Sequence, residues 1–453
     1  MVVRPVCSML SLTLILILSL IVRGDETAHW SQFRGPNSDG VAHAEQLPHT
    51  WDSTQNVRWR VDIAGRGWSS PVVWGDRVFL TTVVRTEQGE KPKKGLYFGG
   101  DRPNPPIDVH QWRILCLDLN SGATLWDQLV HEGSPASAIH LKNSFASETP
   151  IVDEERLYAY FGNVGLFCLN HEGEPLWSKA VEPRKMRLGW GTAASPALHD
   201  GVLYIVNDNE EASYMMAFDA ATGKELWTVE RDEPSNWATP FVWVNDLRTE
   251  IVTSGHQVRS YDTSGKPLWQ LGNNSSIVIP TPFATDGLLY VGSGYILDKR
   301  KPIYAIRSGA VGDISLSDGE TENEAIEWYR AMAGPYNTSP LVYEGRLYVL
   351  LDRGFFACYD AITGETVYDR QRLPKGRAFT ASPWAHDGHV FCLNEYGTTY
   401  VIKAGPEFEI SHLNSLGEDN MCMASPAVAG SDLLIRTEKA LYCLQEGATL
   451  EED

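Results

Sequence analysis

The chain has 453 residues, 43% of them hydrophobic, and 58 acidic against 38 basic side chains give a formal net charge of −20. That balance opposes binding to nucleic acid or to an anionic membrane surface, because either would repel it. The length would serve two or three ordinary domains, but β architectures often run long as one domain, so internal repeats decide the matter.

In chain order, Arg4 precedes an apolar stretch from Met9 to Val22, after which Arg23-Gly24-Asp25-Glu26 turns polar. This reads as a secretory signal peptide over 1–24, cleaved near Gly24 to Ala28. The run falls short of the roughly 20 residues a spanning helix needs, so no stable membrane span is expected after cleavage. Cys7 stands before the run, the wrong side for lipidation. The expected location is therefore the periplasm or another exported compartment. Residues 25–56, with Phe33-Arg34-Gly35-Pro36 and Asp39-Gly40, read as an irregular leader packed against the body of the domain.

From there a Ser/Thr-Pro pair recurs at the head of a short apolar strand: Ser70, Thr149, Ser195, Thr239, Thr281, Ser339, Ser382 and Ser425, each followed by Pro. Most anchors stand 42 to 46 residues apart, and the two longer gaps hold insertions, Arg85 to His110 and Ser308 to Ala325. After each anchor come a turn and a second alternating strand, as in Asp200-Gly201 then Val202 to Asn207. A third strand ends on a Thr/Ser-Gly turn, and a fourth carries an aromatic residue. Those aromatics are Trp126, Trp177, Trp227, Trp269, Trp328 and Tyr368, with Phe408 in the seventh repeat. They are expected to be structural pegs between neighbouring sheets.

The eighth unit stops after Leu441-Tyr442-Cys443-Leu444 without a closing aromatic strand, whereas a spare one, Val57 to Ile63 with Trp59, precedes the first anchor. The expected fold is all-β: an eight-bladed β-propeller of four-stranded antiparallel blades over 57–446, closed by the N-terminal strand, with a tail over 447–453. Closure removes exposed sheet edges. Cys116, Cys168, Cys358 and Cys443 fall in one slot of the repeat. Equivalent slots in different blades lie too far apart for a disulfide, so buried thiols are expected.

The Asp-x-x-Thr-Gly-Lys-x-x-x-Trp type of motif, best preserved at Asp219 to Trp227, Asp262 to Trp269 and Asp360 to Tyr368, resembles that of the pyrroloquinoline-quinone-like repeat propellers. That superfamily holds the quinoprotein alcohol dehydrogenases and the outer-membrane assembly propeller. The leader, Ile306 to Ile314 and Leu434 to Glu438 resemble an exported, planctomycete-type bacterial subfamily of unassigned reaction. The repeat specifies the fold strongly and the function weakly.

In a four-stranded blade, the segments entering the innermost strand and those joining strands two and three emerge on one face. The entering segments carry Arg66, Trp68, Phe145, Arg187, Trp190, Trp237, Tyr336, Arg377 and Phe379, which would form a collar round the central channel. The insertion Arg85 to His110 would lie over them as a lid. One reading is a pocket for an anionic or planar ligand; the other is that the aromatics cap a packed channel.

What the resemblance implies for a quinone enzyme is a vicinal Cys-Cys pair, a calcium ion and a catalytic Asp. This chain has no adjacent cysteines, and only Asp208-Asn209-Glu210-Glu211 suggests hard oxygen ligands, more simply read as an acidic surface loop. Hydrolase, metalloprotease and phosphate-loop motifs are lacking, and His386 with His389 straddle an ordinary turn. No catalytic or metal-ligating residue is therefore assigned, and no cofactor is named by the residues; pyrroloquinoline quinone comes only with the resemblance. The expected function is a non-catalytic, monomeric scaffold presenting a loop face to a protein or polymer. The alternative is a quinone- and calcium-dependent oxidoreductase or a small-ligand sensor using the channel pocket.

Overall fold

Eight Ser/Thr-Pro anchors become eight blades because proline, which cannot donate to a ladder, is tolerated at the start of a strand. Immediately after it the innermost strands begin: Val72–Trp74, Ile151–Val152, Ala197–His199, Phe241–Val244, Phe283–Thr285, Leu341–Tyr343, Trp384–His386 and Ala427–Ala429. The computed structural model describes residues 29–44, 46–87, 89–417 and 420–450; the expected signal peptide lies outside the described residues. Each innermost strand pairs antiparallel with the next, and each sheet grows outward to four strands in sequence order. The chain is an all-β, eight-bladed propeller.

The eighth blade takes its outer strand from the other end of the chain. Gln55–Asp62 pairs antiparallel with Ala440–Thr449, and Trp59 stands opposite Cys443. The last strand thus runs past the boundary expected at 446. Two blades gain a fifth strand. His29–Trp30 adds to the inner edge of blade 1, and Gly312–Asp313, from the second insertion, adds in parallel to the outer strand of blade 4, Pro267–Leu271.

The anchors carry a second role. The backbone N–H of Ser70 donates to Thr149 Oγ1 at 3.0 Å, Thr149 N–H to Ser195 Oγ at 2.9 Å and Ser195 N–H to Thr239 Oγ1 at 3.1 Å. The same bond joins Thr281 to Ser339, Ser339 to Ser382 and Ser382 to Ser425. Each hydroxyl therefore satisfies a buried donor of the preceding blade, which explains why the proline follows Ser or Thr rather than an apolar residue. At the closing seam Arg436 of blade 8 substitutes. Its guanidinium donates to Ser69 O, Ser69 Oγ and Thr81 O of blade 1. All three partners are neutral, and burial lowers this group from its usual range to about 9.

At the rim the aromatic residues dock on the next blade's glycine turn, Ser/Thr-Gly in most blades and Glu172-Gly173 in blade 2. Trp59 Nε1 donates to Leu119 O at 2.7 Å, Trp126 to His171 O, Trp177 to Ala220 O, Trp227 to Thr263 O and Trp328 to Ala361 O. The glycine belongs to this joint. A Cβ on Gly122 would lie 2.7 Å from the Trp59 ring, and one on Gly223 2.5 Å from that of Trp177. Opposite each indole stands a small residue, Cys116, Cys168, Ala217, Ala305 or Cys443, which leaves room for the ring.

Two seams differ. Trp269 Nε1 turns inward to Glu250 Oε2 at 2.7 Å, because the second insertion replaces the turn it would meet. Phe408 is not the peg of blade 7. It lies before the outer strand Ile410–Ser415 and receives Tyr368 of blade 6, ring centroids 5.9 Å apart, while exposed His412 occupies the peg position opposite Val401. Cys116, Cys168, Cys358, Cys392, Cys422 and Cys443 are all buried free thiols.

The leader crosses the opposite end of the channel from the collar. It bonds blade 2 through Val152 N–H to Ser31 O and blade 7 through Ala385, which donates to Gly40 O and accepts from Ala42 N–H. Arg34 reaches into the hub, donating to Pro340 O and Asp39 O with its guanidinium over Phe283. Burial brings its ionisation down to about 10, opposed by Asp39.

Candidate functional site

The collar and the first insertion meet on the face formed by the entering segments and the joins between strands two and three. Strands Arg77–Arg85 and His110–Asp118 pair along their whole length, so the 86–109 segment leaves from the very end of blade 1. Arg85 and Asp108 clamp its base through two bonds of 2.7 and 2.8 Å. The segment then crosses the face. Arg102 N–H donates to Leu188 O of the segment entering blade 3, and Gly95 N–H donates to Glu395 of blade 7.

The collar residues are engaged by the lid and by one another's segments. Trp190 is 8% exposed and its Nε1 donates to Gly100 O of the lid at 2.9 Å. Trp237, 7% exposed, donates to Gly191 O, and Trp68 donates to Lys142 O. Phe379 is fully buried against Tyr400. Trp190, Trp237 and Tyr336 join Met186, Ile277 and Tyr295 in one apolar cluster. Phe145 lies elsewhere, between blades 1 and 2 beside His110 and Trp112.

The three arginines are engaged separately. Arg66 donates to Glu90 O of the lid, and burial lowers its ionisation. Arg377 lies over the Tyr396 ring at 4.8 Å, and Arg187 forms a single 3-10 turn whose N–H donates to Ser235 Oγ. No hydrogen-bond partner is common to the three among the described residues.

The polar centre of this face consists of residues that carried no signal in the sequence. Lys142, entering blade 2, is paired with Glu395 of blade 7, which is fully buried and also accepts from Thr380 Oγ1 at 2.8 Å. Asp352 accepts from the N–H groups of Tyr336 and Asn337 at 2.9 and 2.8 Å; burial raises its carboxyl, with those bonds and Lys142 opposing. His140, packed between Tyr97 and Trp190, is brought down to about 4 by burial and by Lys142 and Arg102. Glu395 lies in an Asn-Glu-Tyr-Gly turn that looks like any solvated turn. Only the lid's path makes it a hub.

The acidic loop of blade 3 is divided: Asp208 and Asn209 are buried, whereas Glu210 and Glu211 are exposed. Asp208 is buried and holds Arg231 at 2.7 and 3.0 Å, while Glu210 and Glu211 accept from the N–H groups of Ser235 and Lys185. Glu233 beside it, raised to about 7 by burial and Asp208, pairs with Arg259. The carboxylates of this face are thus committed to protein partners, and no group of three or more His, Cys, Asp or Glu converges as metal ligands among the described residues. A planar quinone with calcium does not fit this donor set. Lid backbone lies against Trp190, and Cys422, at this face, is a single buried thiol.

The family model described as outer membrane protein assembly factor BamB matches residues 111–247 and 254–405. No curated protein matches. Among solved structures, the quinohemoprotein alcohol dehydrogenase ADHIIG from Pseudomonas putida HK5 is similar at TM-score 0.56 and 12% identity, covering 94% of this chain and 81% of that one. The computationally designed Ika8 protein is similar at TM-score 0.51 and 11% identity, covering 79% of this chain and all of that one. Likeness at such identities shows the fold, whereas the model match spans more than half of the sequence. This chain therefore belongs to the pyrroloquinoline-quinone-like propeller family whose model carries the BamB description.

Proposed function

We propose that the protein is a non-catalytic scaffold, exported after loss of residues 1–24, which works as a monomer and presents its lidded face to a protein partner. The observation that carries this reading is the lid itself. Its backbone satisfies the Trp190 indole and Glu395, so the collar is spent on packing and the outward surface is the lid, where Phe98 and Ile107 stand 65% and 92% exposed. Leu96 and Val109 of the lid are also exposed, and clustered rather than single apolar side chains mark protein contact surfaces. Membership of a family described by an assembly factor points the same way. No helix of the described residues is long and apolar enough to cross a membrane.

The test is a titration of the purified chain with pyrroloquinoline quinone, with and without calcium, following melting temperature and visible absorption. The expected result is no shift in either. Turnover of alcohols or sugars with the added quinone would overturn the proposal.

A further inference from the structure

Three histidines meet where the leader crosses blade 7. The hairpin joining Trp384–His386 to His389–Leu393 turns through Asp387 and Gly388, both at positive φ, so His386 and His389 stand directly opposite each other. His49 of the leader packs onto this pair, with ring centroids 5.7 Å from His386 and 4.6 Å from His389, and its Nε2 lies 3.1 Å from Asp387 Oδ2. His386 is 1% exposed, stacks on Phe391 at 4.2 Å, and neither of its ring nitrogens has a hydrogen-bond partner. Trp51 and Trp384 also stack on Phe391, and Asn414 holds the His49 carbonyl.

We propose that this cluster is an acid-sensitive latch, which holds residues 40–52 against blade 7 at neutral pH and releases them on acidification. The closed form gives His386 no acceptor and surrounds it with two other imidazoles, so a proton there is opposed by burial, then by His49 and His389. His49 is faced by His389 and His412 of blade 7, which oppose its protonation after burial does, and by Asp387 and by Glu446 of blade 8, which favour it; the balance is downward. Lifting the segment gives both rings water and removes each from the other's field.

The sign follows from linkage. Both groups bind protons more readily in the open form, so opening is favoured as pH falls below about 6.5, the ordinary imidazole value. Between pH 7.5 and 5.0 His386 alone raises the opening constant about 30-fold, close to tenfold per pH unit below 6.5. Arg34, fixed in the hub, and the Gln55–Asp62 strand bound the released segment, so the ring stays closed. What opens is the inner edge of blade 7, where Ala385 loses its bonds to Gly40 and Ala42.

Hydrogen exchange of the full chain, read by mass spectrometry at pH 7.5 and 5.0 and corrected for intrinsic rates, tests this. Peptides covering 40–52 are expected to lose at least about 30-fold in protection, since His49 adds to the effect of His386, while the blade strands keep theirs. The variant H386F, which preserves the stack on Phe391, should lose most of that pH dependence. H49Q, on a half-exposed leader residue, keeps the test independent of whether H386F folds, and should show a smaller ratio than the wild type. Equal protection of 40–52 at both pH values, simultaneous loss across all blades, or an unchanged ratio in the variants would each overturn the latch.

Discussion

The rim joint at the closing seam allows a quantitative test by double-mutant cycle. Trp59 is 6% exposed, its Nε1 bonds Leu119 O, and its ring covers Gly122. Truncation in Trp59→Ala removes a buried indole and leaves a gap, at a cost of about 4 kcal/mol. Gly122→Ala meets two penalties. Its φ of +73° disfavours a side chain by about 1 kcal/mol, and the new Cβ, 2.7 Å from the ring, adds on the order of 2 kcal/mol of overpacking. Only the second disappears when the ring is absent. The double variant should therefore be destabilised by about 5 kcal/mol rather than about 7, a coupling near 2 kcal/mol. Urea unfolding midpoints of the four proteins measure it, with Trp59→Ala plus Gly223→Ala as the distant pair expected to add within about 0.5 kcal/mol. Additivity of Trp59 with Gly122 would refute the claim that the turn glycine exists to receive the neighbouring blade's indole.

Two further outcomes test the lidded face and the interior. Lys142→Met leaves the buried Glu395 without its countercharge and should cost about 3–5 kcal/mol, with faster proteolysis at Lys91 and Lys93 of the lid, whereas K142M/E395L should recover much of the loss in urea melts. The six cysteines from Cys116 onward are buried, and burial pushes Cys116, Cys168, Cys358 and Cys422 up to about 12. An aromatic disulfide reagent at pH 8 should leave all six unmodified in the native protein and modify all six in urea; a fast-reacting native thiol among them, mapped by mass spectrometry, would contradict the packing.

The architecture was legible because its determinants are local and repeated. A Ser/Thr-Pro anchor and a Trp after a Thr/Ser-Gly turn can each be recognised within a dozen residues. Their partners were not legible, since the anchor hydroxyl acts on the preceding blade and the indole on the next, each some forty residues away. Phe408 shows the limit. As the next aromatic in line it read as a peg, yet it receives one, and the ladder sets His412 opposite Val401 in the peg position. The site was harder still. Trp190 and Arg66 bond the lid, Trp68 and Trp237 bond other entering segments, and Phe145 lies between blades 1 and 2; composition alone shows none of this. Lys142 and Glu395, far apart in sequence and each ordinary in its own segment, become central only because the lid lies across both. His49 is invisible for the same reason: its partners belong to the seventh repeat.

The strand that completes blade 8 is made before any of the eight innermost strands and finds its partner last. At roughly 5–20 residues per second, Cys443 follows Trp59 out of the ribosome only after some 20–80 s. Until then blades 1 to 7 can stack as an open arc, with the Thr124–Gly133 side of blade 1 lacking its neighbouring indole and Gln55–Asp62 unpaired. A factor that shields this one strand during synthesis or export would therefore control when the whole ring forms, and a truncated chain lacking the last forty residues would carry the same unpaired edge permanently.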